Sequence, residues 1–138
     1  GPLRDDIRRM ADELLPGRFT RVSVAGREMP LLYRSADVFL HLSKEESFGN
    51  VFIEAMACGL PIVGHDTPRL RWIVGDDEFL TDTVDIASVA ARLTAAQSSS
   101  ATQRLSRIER SLEFSWTKVA AKYRTFFESV VSGQAGRG

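Results

Sequence analysis

Val38-Phe39-Leu40-His41-Leu42 is followed by the polar stretch Ser43-Lys44-Glu45-Glu46-Ser47-Phe48-Gly49, by Asn50-Val51-Phe52-Ile53-Glu54-Ala55-Met56-Ala57-Cys58, and then by Gly59-Leu60-Pro61-Ile62-Val63-Gly64. The first run is nearly continuously apolar, the pattern of a strand buried on both faces. Asn50 to Cys58 predicts a helix, with Gly59 at its C-terminal cap and Pro61 just beyond. Pro61 to Gly64 then makes another strand. Strand, helix, strand in direct succession predicts an α/β fold, a Rossmann-like parallel sheet flanked by helices, with ligands expected beyond the carboxyl ends of the strands.

The same alternation extends both ways. Upstream, Ile7, Met10, Ala11 and Leu14 keep helical spacing, Asp5 and Asp6 suit the first turn, and Pro16-Gly17 stops the helix. Val22, Val24 and Ala25 read as a short strand closed by Gly26, and Leu31 to Ala36 as a short helix. Downstream, Leu70 to Val74 predicts a helical turn, Phe79-Leu80 a fourth strand, and Ile86, Val89, Ala90 and Leu93 an amphipathic helix. Gln97 to Thr102 reads as a serine-rich loop before a helix over Arg104 to Glu113. Ser115 is a suitable N-cap for a last helix whose face carries Val119, Tyr123, Phe126, Phe127 and Val130. Residues 133–138 read as a frayed tail, and Gly1-Pro2 as either a tag scar or native sequence.

The chemistry falls on Glu46 to Glu54, the junction between a strand end and a helix start. Gly49 lets the backbone approach a ligand closely, and the orphan amides of Gly49, Asn50 and Val51 suit a diphosphate. Carboxylates at Glu46 and Glu54, on either side of those amides, suit a ligand with hydroxyls at both ends of a diphosphate, which describes a nucleoside diphosphate sugar. Spacing alone is weak support: nine Glu in 138 residues give about 0.6 pairs eight positions apart by chance.

Context adds to it. The runs Ser35-Ala36-Asp37-Val38-Phe39-Leu40-His41-Leu42-Ser43, Glu46-Ser47-Phe48-Gly49-Asn50 and Glu54-Ala55-Met56-Ala57-Cys58-Gly59-Leu60-Pro61-Ile62-Val63 closely resemble the C-terminal domain of the group 1 (family 4) retaining glycosyltransferases of GT-B architecture. Leu31-Leu32-Tyr33-Arg34 and Phe114-Ser115-Trp116 agree as well, and the likeness reaches from Gly1-Pro2-Leu3-Arg4 through Gly26 along nearly the whole chain.

The resemblance implies that residues 1–132 are the donor-binding domain, the C-terminal half of such an enzyme, lacking its first strand and basic loop and the N-terminal acceptor domain. It implies that Glu46 contacts the transferred sugar, that the Phe48, Gly49, Asn50 and Val51 backbone holds the diphosphate, that Glu54 accepts hydrogen bonds from the ribose hydroxyls, and that the base lies near Ala25 to Met29. It implies transfer with retention, no cofactor and no bound metal. The donor would be a nucleotide sugar, and the acceptor a glycan, lipid or small molecule. Any membrane association would be peripheral and run through the full-length protein. Rival readings of the same fold are a noncatalytic nucleotide-binding module, a nucleotide-sugar epimerase, or a phosphorylase. The last needs a pyridoxal-phosphate lysine, and none is apparent among the three lysines.

Where the family follows its third strand with a glycine pair and a glutamate, this chain has His65-Asp66-Thr67-Pro68-Arg69-Leu70-Arg71-Trp72, read here as a turn capping a short helix. His41 is expected in the core, Arg69 and Arg71 in solvent, Lys44 and Glu45 on the loop surface, and Cys58 as a packing residue. With 18 basic and 18 acidic residues, no overall field points to nucleic acid or an anionic membrane. A single cysteine excludes an internal disulfide, and together with the absence of a signal peptide or spanning segment it predicts a cytoplasmic setting.

Overall fold

The computed structural model describes residues 3–75 and 78–133. The expectations for Gly1-Pro2 and for residues 134–138 lie outside that range, whereas Gly133 lies inside it, left-handed at φ 73° just past the last helix.

Among the described residues three strands form a parallel sheet: β1 (Phe39–His41), β2 (Ile62–His65) and β3 (Phe79–Thr81). They lie in the order β1-β2-β3, with Phe39 opposite Ile62 and Val63 opposite Phe79. Around them run α1 (Arg4–Leu14), α2 (Met29–Arg34), α3 (Asn50–Ala57), α4 (Pro68–Val74), α5 (Ile86–Gln97), α6 (Ala101–Leu112) and α7 (Trp116–Val131). A short 3-10 turn, Gly26–Glu28, leads into α2. The chain is an α/β domain of Rossmann-like type, with a parallel sheet between helices.

The central strand explains the layering. Its residues alternate between faces, so Ile62 joins a core with Phe52 and Met56 of α3 and Leu70 and Ile73 of α4. Val63 points the other way, toward the face where α5 packs on β2 and β3 and buries Val89 and Ala96. Phe52, Met56, Ile62, Val63 and Ile73 are the largest fully buried side chains, each contributing about 1.5–3 kcal/mol of apolar burial. Gly64 is required by packing: a Cβ there would stand 2.8 Å from Leu70 Cδ2, so the bare backbone lets α4 lie close against the sheet.

Capping follows the side chains that the sequence supplies. Thr67 Oγ1 accepts from Leu70 N at 3.1 Å and starts α4. Asp85 caps α5, and Ser115 caps α7 through Lys118 N. Ser100 forms a reciprocal capping box with Gln103, so α6 begins at Ala101 and the serine-rich loop is shorter than its composition suggests.

Two expectations are corrected. Residues 22–25 form no strand, and Val22 and Val24 are 53% and 36% exposed. A strand exists only through its ladder, and β1 is hydrogen-bonded only to β2 among the described residues. For the same reason β1 is not buried on both faces: it is an edge strand, with Leu40 41% exposed. The apolar faces of α1 and α7 are also largely uncovered, with Ile7, Met10, Tyr123, Phe126 and Phe127 each more than half exposed. Among the described residues no helix is long and apolar enough to cross a membrane.

Candidate functional site

β1 ends at His41 and α3 begins at Asn50, so residues 42–49 form the loop at the carboxyl end of the sheet. Gly49 closes this loop at φ 92°, a left-handed conformation open to glycine and strained for other residues. A Cβ at Gly49 would also meet Phe52 Cδ2 at 3.0 Å and Ile73 Cδ1 at 3.2 Å. The glycine is therefore needed both for the turn and for seating α3 on the core. Among the described residues no side chain caps α3, and the amides of Gly49, Asn50 and Val51 have no hydrogen-bond acceptor. That leaves the positive end of the helix dipole open.

Glu46 is held from two sides. Its carboxylate Oε1 lies 2.6 Å from His41 Nε2, both side chains being about one-third exposed. Its backbone carbonyl accepts a hydrogen bond from Arg69 Nη1 at 2.5 Å, and the same nitrogen donates to the Ser47 carbonyl at 2.7 Å. His41 is thus not an inert core residue. It sits at the carboxyl end of an edge strand, where its ring packs 5.1 Å from Phe52 and its far nitrogen reaches the loop. Arg69 and Arg71 are not simply solvated either. Arg71 makes a forked contact with Asp66, Nε to Oδ1 at 2.6 Å and Nη2 to Oδ2 at 2.5 Å. That guanidinium holds the Asp66 carboxyl below the usual carboxylate range.

A cavity of about 280 Å³ lies between this loop and α4, walled by Glu46, His65, Thr67 and Arg69 over a floor of Phe52 and Leu70. Of the residues singled out from sequence, Glu46 faces this cavity. Phe48, Gly49, Asn50, Val51 and Glu54 do not line it and instead run along the loop end and first turns of α3. Phe48 is 46% exposed and stands edge-on to Phe114. The His65-Asp66 turn leads into α4 as expected; His65 Nδ1 accepts from Thr83 N at 3.2 Å, which leaves Nε2 as the protonated nitrogen when the ring is neutral. Lys44 and Glu45 are exposed, and Cys58 is half-buried.

Glu54, one turn into α3, accepts a hydrogen bond from Tyr33 Oη at 3.0 Å. Burial first, then the hydrogen bond to Glu54 and its negative charge, push the Tyr33 phenol up to about 12. Because the folded state keeps its proton where the unfolded chain loses it, this contribution to stability is intact below pH ~10 and is lost as the pH rises toward ~12. An ultraviolet titration of phenolate absorbance is expected to show one late-ionising tyrosine that Tyr33→Phe removes. Glu54→Gln, by deleting the charge, is expected to bring that ionisation to lower pH; an unchanged curve would place the cause elsewhere.

Comparison with known proteins gives the family. The profile of the family described as glycosyl transferases group 1 matches residues 1–111. The chain is 36% identical over 118 residues to D-inositol 3-phosphate glycosyltransferase of Mycolicibacterium smegmatis, covering 81% of this chain and 27% of that protein. It is 34% identical over 70 residues to O-antigen chain mannosyltransferase B of Escherichia coli, covering 51% of this chain and 18% of that protein. It is 30% identical over 81 residues to alpha-monoglucosyldiacylglycerol synthase of Streptococcus pneumoniae, covering 57% and 18%. In each case the match takes in only a fraction of the relative's length. A parallel α/β sheet, a loop carrying Glu46 at its carboxyl end and a family match over residues 1–111 lead to one conclusion: this chain belongs to the group 1 glycosyltransferase family.

Proposed function

We propose that the chain is the donor-binding part of a retaining glycosyltransferase, taking a nucleoside diphosphate sugar and passing its sugar to an acceptor bound by a second domain. The observation that carries this is the composition of one nine-residue segment: a carboxylate fixed by His41, an uncapped helix start with unbonded amides, and a second carboxylate one turn further on. Negative phosphate oxygens are stabilised by such amides, and ribose hydroxyls donate well to a carboxylate. In this proposal Glu46 contacts the sugar, the Phe48 to Val51 backbone receives the diphosphate, and Glu54 accepts from the ribose. Transfer proceeds with retention and without a bound metal. A donor site that closes between two domains implies weak or absent turnover by this chain alone; a normal rate from it would overturn that part.

A donor screen tests the whole proposal. In a protein carrying both domains, calorimetric titration with uridine, guanosine and adenosine diphosphate sugars is expected to show binding of at least one. Glu54→Ala is expected to weaken it about 10- to 100-fold, the loss of one or two hydrogen bonds to a charged acceptor. Binding of none of the three donors, or a Glu54→Ala protein with unchanged affinity, would contradict it.

A further inference from the structure

Arg69, though exposed, donates two hydrogen bonds to a loop 22 and 23 residues away in sequence, to the carbonyls of Ser47 and Glu46. A trans peptide sets its N–H opposite its C=O, and the described residues contain no cis peptide bond. The N–H groups that share peptides with those two carbonyls belong to Ser47 and Phe48. Fixing the carbonyls toward the guanidinium therefore turns the Ser47 and Phe48 amides away from it. Among the described residues neither amide has an acceptor. They lie just before the unbonded amides of Gly49, Asn50 and Val51 at the start of α3.

We infer that Arg69 is a positioning residue that pre-orients the amides of Ser47 and Phe48 to receive the phosphate oxygens of the donor. This rests on the donor-binding role proposed above for the same loop. The guanidinium acts through the two peptides that it holds, while also walling the cavity that Glu46 faces. Its charge reaches the phosphate through the chain guanidinium N–H to carbonyl oxygen, then amide N–H to phosphate oxygen, in which each bond polarises the next. The same grip on the Glu46 carbonyl fixes the backbone from which the Glu46 carboxylate extends toward His41.

Arg69 is an exposed residue on the first turn of α4, so Arg69→Ala and Arg69→Lys are expected to fold. The test uses the 138-residue chain with inorganic pyrophosphate as the probe, followed in amide proton–nitrogen spectra. In the wild type, pyrophosphate is expected to move the Ser47, Phe48, Asn50 and Val51 signals. In Arg69→Ala without ligand, the Ser47 and Phe48 signals shift while the strands keep theirs, and pyrophosphate affinity falls about tenfold. Arg69→Lys recovers part of the loss.

Three results would overturn the inference, each in a different way. Unchanged pyrophosphate affinity in Arg69→Ala overturns it and leaves the diphosphate role of the loop standing. Weakened affinity with unmoved Ser47 and Phe48 signals in the free variant makes Arg69 a direct ligand instead. A wild-type chain whose loop amides do not respond to pyrophosphate overturns both the inference and the diphosphate role on which it rests.

Discussion

Glu46→Ala is expected to lower the rate of sugar transfer by about 10²- to 10³-fold in a protein that carries both domains, with a smaller change in the donor KM. The magnitude is that of removing one preorganised polar group from the place where charge develops. Preorganisation is the operative property: the carboxylate is fixed before any donor arrives, by His41 at 2.6 Å and by the Arg69 hold on its own carbonyl. A group already in place costs nothing to orient during reaction, so its loss falls on kcat more than on binding. Glu46 is a partly exposed loop residue with no role in the core, and the variant is expected to melt within a few degrees of the wild type. Glu109→Ala is the control, an exposed glutamate of α6 that does not line the cavity, and is expected to leave the rate unchanged. Initial-rate measurements on the three proteins decide the matter. A Glu46→Ala enzyme retaining half of its activity, or a Glu109→Ala enzyme equally impaired, would remove Glu46 from the reaction.

Local signals carried the strand-helix-strand unit at the centre of the fold. The apolar run from Val38 to Leu42, the glycine at position 49, and Gly59 with Pro61 after the helix mark β1, α3 and β2 within a residue or two. The Ser115 cap marked α7 in the same way. What stayed hidden depends on partners distant in sequence. Val22 to Ala25 has a strand-like pattern whether or not another strand lies beside it, and here no ladder forms. His41 sits in an apolar run, and only folding shows that the run is an edge whose last side chain meets Glu46. Arg69 reads as a surface arginine because its carbonyl partners are more than 20 residues upstream. The candidate site was legible as a segment, then, and its supports were not, since backbone carbonyls leave no mark in a sequence.

The same holds for the pair with the largest expected effect on stability. Arg107 of α6 and Glu78, just before β3, are 3% and 5% exposed at their side chains, with Nε to Oε1 at 2.5 Å. Glu78 also accepts from the backbone N–H of Ile62 at 2.8 Å, at the start of the central strand. This one carboxylate thus ties α6 to the sheet through both a charge and a ladder position. Arg107→Met keeps the apolar stem but removes the cation that ion-pairs with this buried carboxylate; the expected loss is about 3–5 kcal/mol. For a domain of this size the melting temperature should fall on the order of 10 °C or more.

Arg107→Met combined with Glu78→Met removes both charges and both desolvation costs, so the double variant is expected to be more stable than Arg107→Met alone. It does not return to wild type, because the Ile62 amide loses its acceptor in a buried position, at about 1–3 kcal/mol. Among the described residues Arg107 Nη2 is buried with no hydrogen-bond partner, a cost that the double variant also abolishes. Urea unfolding of the wild type, both single variants and the double variant gives the coupling directly. Additive losses, or an Arg107→Met protein within 1 kcal/mol of the wild type, would mean that the pair is a packing contact whose charges contribute little to holding α6 on the sheet.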